Sequence, residues 1–118
     1  MKLVGQFRVP FAVKGGGRIS NPGFSSTIGV HISMRRFRKI AYHSDKQTVD
    51  LGSGLIWDDA YKTLESSNVT VVGGRFSGVG VAGLTLGGGY SWNTNQYGLS
   101  IDNVFEYEVR PFCIMWKF

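Results

Sequence analysis

The sequence predicts an α+β domain of short strands, one main helix and glycine-rich loops. Three observations carry that class. Several short runs alternate apolar and polar side chains at period two, as strands do. A single stretch, Leu55 to Ser66, places apolar residues at helical spacing. Glycine supplies 17 of the 118 residues, and the usual share is only about 7%. These glycines gather in three clusters beside strands.

Taken in order, Phe11-Ala12-Val13-Lys14 reads as a short buried strand, which Gly15-Gly16-Gly17 breaks. Asn21-Pro22-Gly23 marks a turn, because proline presets φ and glycine accepts positive φ. Gly29 to Met34 reads as a second strand, with Val30 and Ile32 on one face. Lys39 to His43 and Gln47 to Leu51 form a hairpin around Ser44-Asp45-Lys46. Ile40 and Tyr42 alternate on one arm, Val49 and Leu51 on the other. Between strands, Arg35-Arg36-Phe37-Arg38-Lys39 reads as a solvated connection. In the helix, Ile56, Ala60 and Leu64 share a face that Trp57 and Tyr61 widen. Asp58 and Asp59 fall in its first turn, where negative charge favours the helix dipole. Val69 to Val72 and Val104 to Val109 read as two more strands, giving the order β, β, β, β, α, β, glycine-rich loop, β.

Composition narrows the function classes. A chain of this length holds one domain at most. With 42% apolar and 18% charged residues it is not a disordered polymer, and no Gly-X-Y repeat makes it collagen-like. No apolar run is long enough to predict a transmembrane helix. The N-terminal MKLVGQFRVPF lacks the apolar core and cleavage site of a signal peptide. Cys113 is alone, which excludes an internal disulfide and a cysteine-based zinc site. His31 and His43 are too few for a metal cluster, so no metal is expected. Charge is uneven: residues 1–44 hold eight basic and no acidic residues, while 45–118 hold five basic and eight acidic, 5 − 8 = −3. A basic first third calls for an anionic partner.

The glycine clusters suggest what that partner is. They are Lys14 to Arg18 (KGGGR), Gly73 to Gly83 (GGRFSGVGVAG) and Gly87 to Gly89. Glycine lets a backbone approach a ligand closely, and successive N–H groups then form an anion nest. Lys14 and Arg18 bracket the first nest, so a nucleotide pyrophosphate is a natural occupant. Gly78, Gly80 and Gly83 match the Rossmann spacing, with Asp102 about 20 residues on. The motif should open a proper helix, yet only Val81 to Leu86 separates it from Gly87-Gly88-Gly89. No Walker lysine follows any cluster, so both nucleotide motifs are rejected.

The stretches FAVKGGGRISNPGFSSTIGVHISM, VDLGSGLIWDDAYKTL, VVGGRFSGVGVAGLTLGGGYSW and YGLSIDNV, in this order and spacing, resemble another nucleotide-binding family. The chain is similar to part of the flavin domain of the vanillyl-alcohol oxidase/p-cresol methylhydroxylase superfamily, especially the fungal berberine-bridge-enzyme-like oxidoreductases. The resemblance spans about residues 10–109. It implies a partial FAD-binding PCMH-type domain, unlike Rossmann, preceded by an extension at 1–9 and followed by a non-family tail at 110–118. It also implies FAD as cofactor. The glycine turn would wrap the diphosphate, and GGRFSGVGVAG and LGGG would pack along the diphosphate, ribityl chain and ring. The FAD contacts so implied are Lys14, Gly15, Gly16, Gly17, Arg18, Gly74, Ser77, Gly78, Val79, Gly80, Gly83, Gly88 and Gly89. Tyr90 and Trp92 are candidates to lie near the flavin, with core packing the preferred reading for each.

Departures from the family pattern shape the expected chemistry. Many relatives carry a histidine at the place of Arg18 that bonds covalently to the flavin, and doubly linked ones carry a cysteine at the place of Phe76. Neither a guanidinium nor a phenyl ring can form that link, so non-covalent FAD is expected. The segment preceding the family's first glycine strand is mostly missing, and RPFCIMWKF does not continue the pattern, so a fragment is expected. The implied activity is hydride transfer from an unidentified organic substrate to flavin, with no catalytic residue assigned. One competing reading is an inactive truncated remnant. Another is a small basic nucleic-acid-binding module using Arg35, Arg36, Arg38 and Lys39 with Phe37. No nucleic-acid motif supports it, and neither a nucleic-acid nor a membrane partner is expected.

Overall fold

The computed structural model describes residues 2–109. In chain order these form helix α1 (Lys2–Gln6), strands β1 (Phe11–Lys14), β2 (Val30–Ser33), β3 (Ile40–His43) and β4 (Thr48–Leu51), helices α2 (Trp57–Glu65), α3 (Val81–Leu86) and α4 (Thr94–Tyr97), and a 3-10 turn at Ile101–Asn103. The class is α+β, as the patterning predicts.

The strands form two separate pairs. β1 and β2 run parallel, from Phe11↔Val30 to Lys14↔Ser33. Parallel neighbours need a long connection, and the one used here carries the first glycine cluster. The ladder runs on to the edge of that cluster, where the Met34 N–H donates to the Lys14 carbonyl at 2.8 Å. β3 and β4 form the predicted hairpin, from Ile40↔Leu51 to His43↔Thr48. Gln47 has φ 53° and belongs to the turn, so β4 starts one residue later than its alternation suggests.

Helix α2 also starts late, at Trp57 rather than Leu55. The cause is tertiary. The Trp57 N–H donates to the Val79 carbonyl and the Val81 N–H to the Leu55 carbonyl, both at 2.9 Å. Leu55 and Ile56 are thereby held extended against Gly80. Leu55, Trp57, Ala60 and Val81 make the core, with Ile40, Leu51, Tyr61, Val71, Val79 and Leu84 packed around them. Leu64 is buried as well. The basic connection is exposed as expected, and Arg38 reaches Asp59 on α2 at 2.6 Å. Both partners are solvated, so this pair is worth at most about 1 kcal/mol.

Four expectations are corrected. Val69 to Val72 forms no strand: Val71 packs on the core, but no neighbouring backbone is in place to ladder with it. Val104 to Val109 forms no strand either, and Phe105 is 90% exposed. In both segments alternation finds no partner among the described residues. Strand β1 is not buried: Phe11 and Val13 are 50% and 56% exposed, because a two-stranded sheet leaves a face uncovered. The stretch Val81 to Leu86, too short for a Rossmann helix, is nonetheless helical. Helices α1 and α4 and the 3-10 turn carry no amphipathic pattern long enough to read. The tail at 110–118 lies outside the described residues.

Candidate cofactor site

The first glycine cluster and part of the second meet where β1 ends and α3 begins. A Cβ on Gly16 would lie 2.6 Å from both the Cα and the N of Gly80, and one on Gly80 would lie 2.5 Å from the Gly16 N. Two backbones thus touch with no room for a side chain on either, which is why both positions are glycine. The contact is reinforced on each flank. Arg18 Nε donates to the Ser77 carbonyl at 3.2 Å. The Gly78 N–H donates to Asp58 Oδ2 at 2.8 Å, pinning the loop to the first turn of α2. The Lys14 side chain folds back over Gly17, where φ is 74°.

This arrangement leaves donors unused. Among the described residues, the N–H groups of Gly15, Gly16, Gly17 and Arg18 make no hydrogen bond, nor do those of Ser77, Val79 and Gly80. Lys14 and Arg18 add two cations beside them. Unused N–H groups and positive charge on two touching loops fit a diphosphate. Gly73 and Gly74 lie flat against the buried Trp57 indole, and Tyr61 Oη donates to the Gly74 carbonyl at 2.9 Å. Trp57 Nε1 and Ser100 Oγ are buried without a partner among the described residues. Each adjoins a glycine turn: Gly74 lies by the indole, and Gly89 lies by Ser100.

The structure therefore unites Lys14, Gly15, Gly16, Gly17 and Arg18 with Ser77, Gly78, Val79 and Gly80. Gly88 and Gly89 form a second turn, with φ of 94° and 77°, tied to the 3-10 turn by Ile101 and Ser100 N–H bonds to their carbonyls. Gly83 differs from the rest. It lies on an exposed side of α3, and a Cβ there would meet nothing within 4 Å. Tyr90 and Trp92 are not core residues: they are 49% and 78% exposed, held under the Arg75 guanidinium. A depression of about 620 Å³ runs along α2 from Asp58 to Thr70 and is lined by none of the glycine clusters.

Asp58, Trp57 and Tyr61 were not legible as site residues. Acidic residues opening a helix read as dipole partners, and the tertiary target of Asp58 leaves no local mark. The Gly78 N–H, helped by the Ser77 side chain, holds the Asp58 carboxyl below its ordinary value of 3.8. A lowered folded value means that the carboxylate stabilises the fold above the ordinary value, and that this contribution fades as pH falls through the folded one. Asp58→Asn is expected to flatten the acid limb of the stability curve. Urea midpoints measured from about pH 5 down to about pH 2 would show it; parallel curves for the two proteins would rule the Asp58–Gly78 link out as an acid-sensitive tie.

The comparisons with known proteins settle the family. The family model described as FAD binding domain matches residues 1–110. The chain belongs to this FAD binding domain family. It is 46% identical over 101 residues to the FAD-dependent monooxygenase tpcD of Cochliobolus heterostrophus, a match covering 85% of this chain and 20% of the relative. Among solved structures, 6-hydroxy-D-nicotine oxidase from Arthrobacter nicotinovorans superposes with a TM-score of 0.80 at 28% identity, over 86% of this chain and 22% of that one. BBE-like 1 of Physcomitrella patens gives a TM-score of 0.77 at 30% identity over the same shares. These neighbours place the fold in the PCMH-type, berberine-bridge-like group, and its cofactor is FAD. The chain spans about a fifth of the length of the curated relatives it matches.

Proposed function

We propose that the chain is the diphosphate-binding part of an FAD-dependent oxidoreductase acting on a small organic substrate, with residues 10–109 as the family unit. One observation carries this: the Gly16–Gly80 contact brings together two loops whose N–H groups are largely unused among the described residues, with Lys14 and Arg18 beside them. In this reading Lys14, Gly15, Gly16, Gly17 and Arg18 hold one side of the diphosphate, and Ser77, Gly78, Val79 and Gly80 the other. Gly74, Gly83, Gly88 and Gly89 lie along the ribityl chain and ring. When bound, FAD supplies the two-electron acceptor for a substrate hydride. The residues of this chain bind and orient. The backbone donors are fixed before the ligand arrives, which lowers the ordering cost of binding. Arg18 contributes charge without a covalent bond, and Phe76, 68% exposed, offers no nucleophile.

The test is an FAD titration of the purified chain, followed by tryptophan quenching and the visible flavin spectrum. Saturable binding is expected, with all flavin released on acid denaturation. Flavin that stays attached after denaturation would overturn the non-covalent reading. A folded chain that leaves FAD unbound would overturn the cofactor site itself.

A further inference from the structure

We infer that Arg75 is a positioning residue, whose guanidinium clamps the Gly73–Gly80 loop to the Gly87–Trp92 loop and so sets the spacing of the two glycine turns. Its consequence for FAD rests on the function proposed above; its geometry does not. The guanidinium carbon lies 4.6 Å from the Tyr90 ring centroid and 5.3 Å from that of Trp92. Both are within the reach of a cation–π contact. Among the described residues, no hydrogen bond joins the two loops directly. This cation over two rings ties one loop to the other.

The two ends of the clamp are anchored independently. Behind Arg75, Gly73 and Gly74 press on Trp57, and Tyr61 holds the Gly74 carbonyl. Behind the rings, the Ser100 N–H donates to the Gly89 carbonyl and the Ser91 N–H to Thr94 Oγ1, both at 2.8 Å. Arg75 itself makes no hydrogen bond or ion pair among the described residues. Its position is therefore set by the rings, and a planar guanidinium suits stacking on them better than a point-charged ammonium does. The clamp also explains why Tyr90 and Trp92 leave the core: their faces serve the cation.

Hydrogen exchange on the chain without FAD tests the clamp. Arg75→Gln is expected to speed exchange at the bonded amides of Gly78, Gly88 and Ser91 together by about 2- to 10-fold, and to leave α2 unchanged. Trp92→Leu should do the same, and the double variant should add little, as partners in one contact behave. Arg75→Lys should restore part of the protection. Exchange that rises on the Arg75 side alone, or additive single effects, would overturn the clamp. An FAD titration of the same variants then reads the consequence, with affinity falling by a similar factor. If the unaltered chain leaves FAD unbound, the cofactor reading fails while the exchange result still decides the clamp.

Discussion

Gly16→Val is expected to abolish FAD binding, lowering affinity at least about 100-fold, equivalent to about 2.7 kcal/mol. The steric argument is direct. The first atom of any side chain at this position meets the Gly80 backbone at 2.6 Å, and the obstacle is main chain that no rotamer can move aside. The two loops must separate, which parts the unused N–H groups of Gly15 to Arg18 from those of Ser77, Val79 and Gly80. Overpacking a tight contact costs about 1–3 kcal/mol in stability, so the variant also unfolds at lower urea. Gly83→Ala is the contrast for stability. Nothing lies within 4 Å of its Cβ, and alanine is a better helix former than glycine by about 1 kcal/mol. It should hold or raise stability. A Gly16→Val chain that binds FAD with unchanged affinity would refute the interlock as the basis of the site. Weakened FAD binding by a stable Gly83→Ala chain would place Gly83 against the cofactor.

Legibility in the sequence follows the range of the interactions. The hairpin was readable because its turn and alternation lie within a few residues, and Ile40↔Leu51 pairing follows from them. Helix α2 was readable because Ala60 and Leu64 mark one face, and both are buried. Its start was misplaced because the Leu55–Val81 and Trp57–Val79 hydrogen bonds cross a long stretch of chain, and nothing local announces them. Val69 to Val72 and Val104 to Val109 show the converse: alternation makes a segment fit for a sheet, but it cannot supply the neighbouring strand. At the site, KGGGR and GGRFSGVG stood out by glycine density alone. That these glycines touch each other, with Asp58 fastening one loop, is a tertiary fact. At Gly83 the fold itself imposes no steric need for glycine.

Trp57→Ala is expected to cost about 3–5 kcal/mol, the range for emptying a buried tryptophan site. A small domain holds only about 5–15 kcal/mol in all, so cooperative unfolding is expected to be lost or nearly so. Trp57 is only 4% exposed and joins three parts of the molecule. It belongs to the central cluster with Leu55, Ala60 and Val81, stacks on Tyr61 with ring centroids 6.0 Å apart, and forms the floor on which Gly73 and Gly74 lie. Trp57→Phe separates these roles. It keeps an apolar ring and removes the buried indole N–H that lacks a partner among the described residues, so the loss should be well below that of alanine. Near-ultraviolet circular dichroism and urea unfolding of both variants check this. If Trp57→Ala unfolds cooperatively near the midpoint of the unaltered chain, the Gly73–Gly74 floor bears no load. Equal losses for phenylalanine and alanine would instead mean that the indole N–H meets an acceptor in solution, and that the hydrogen bond, not the ring, holds the loop to the core.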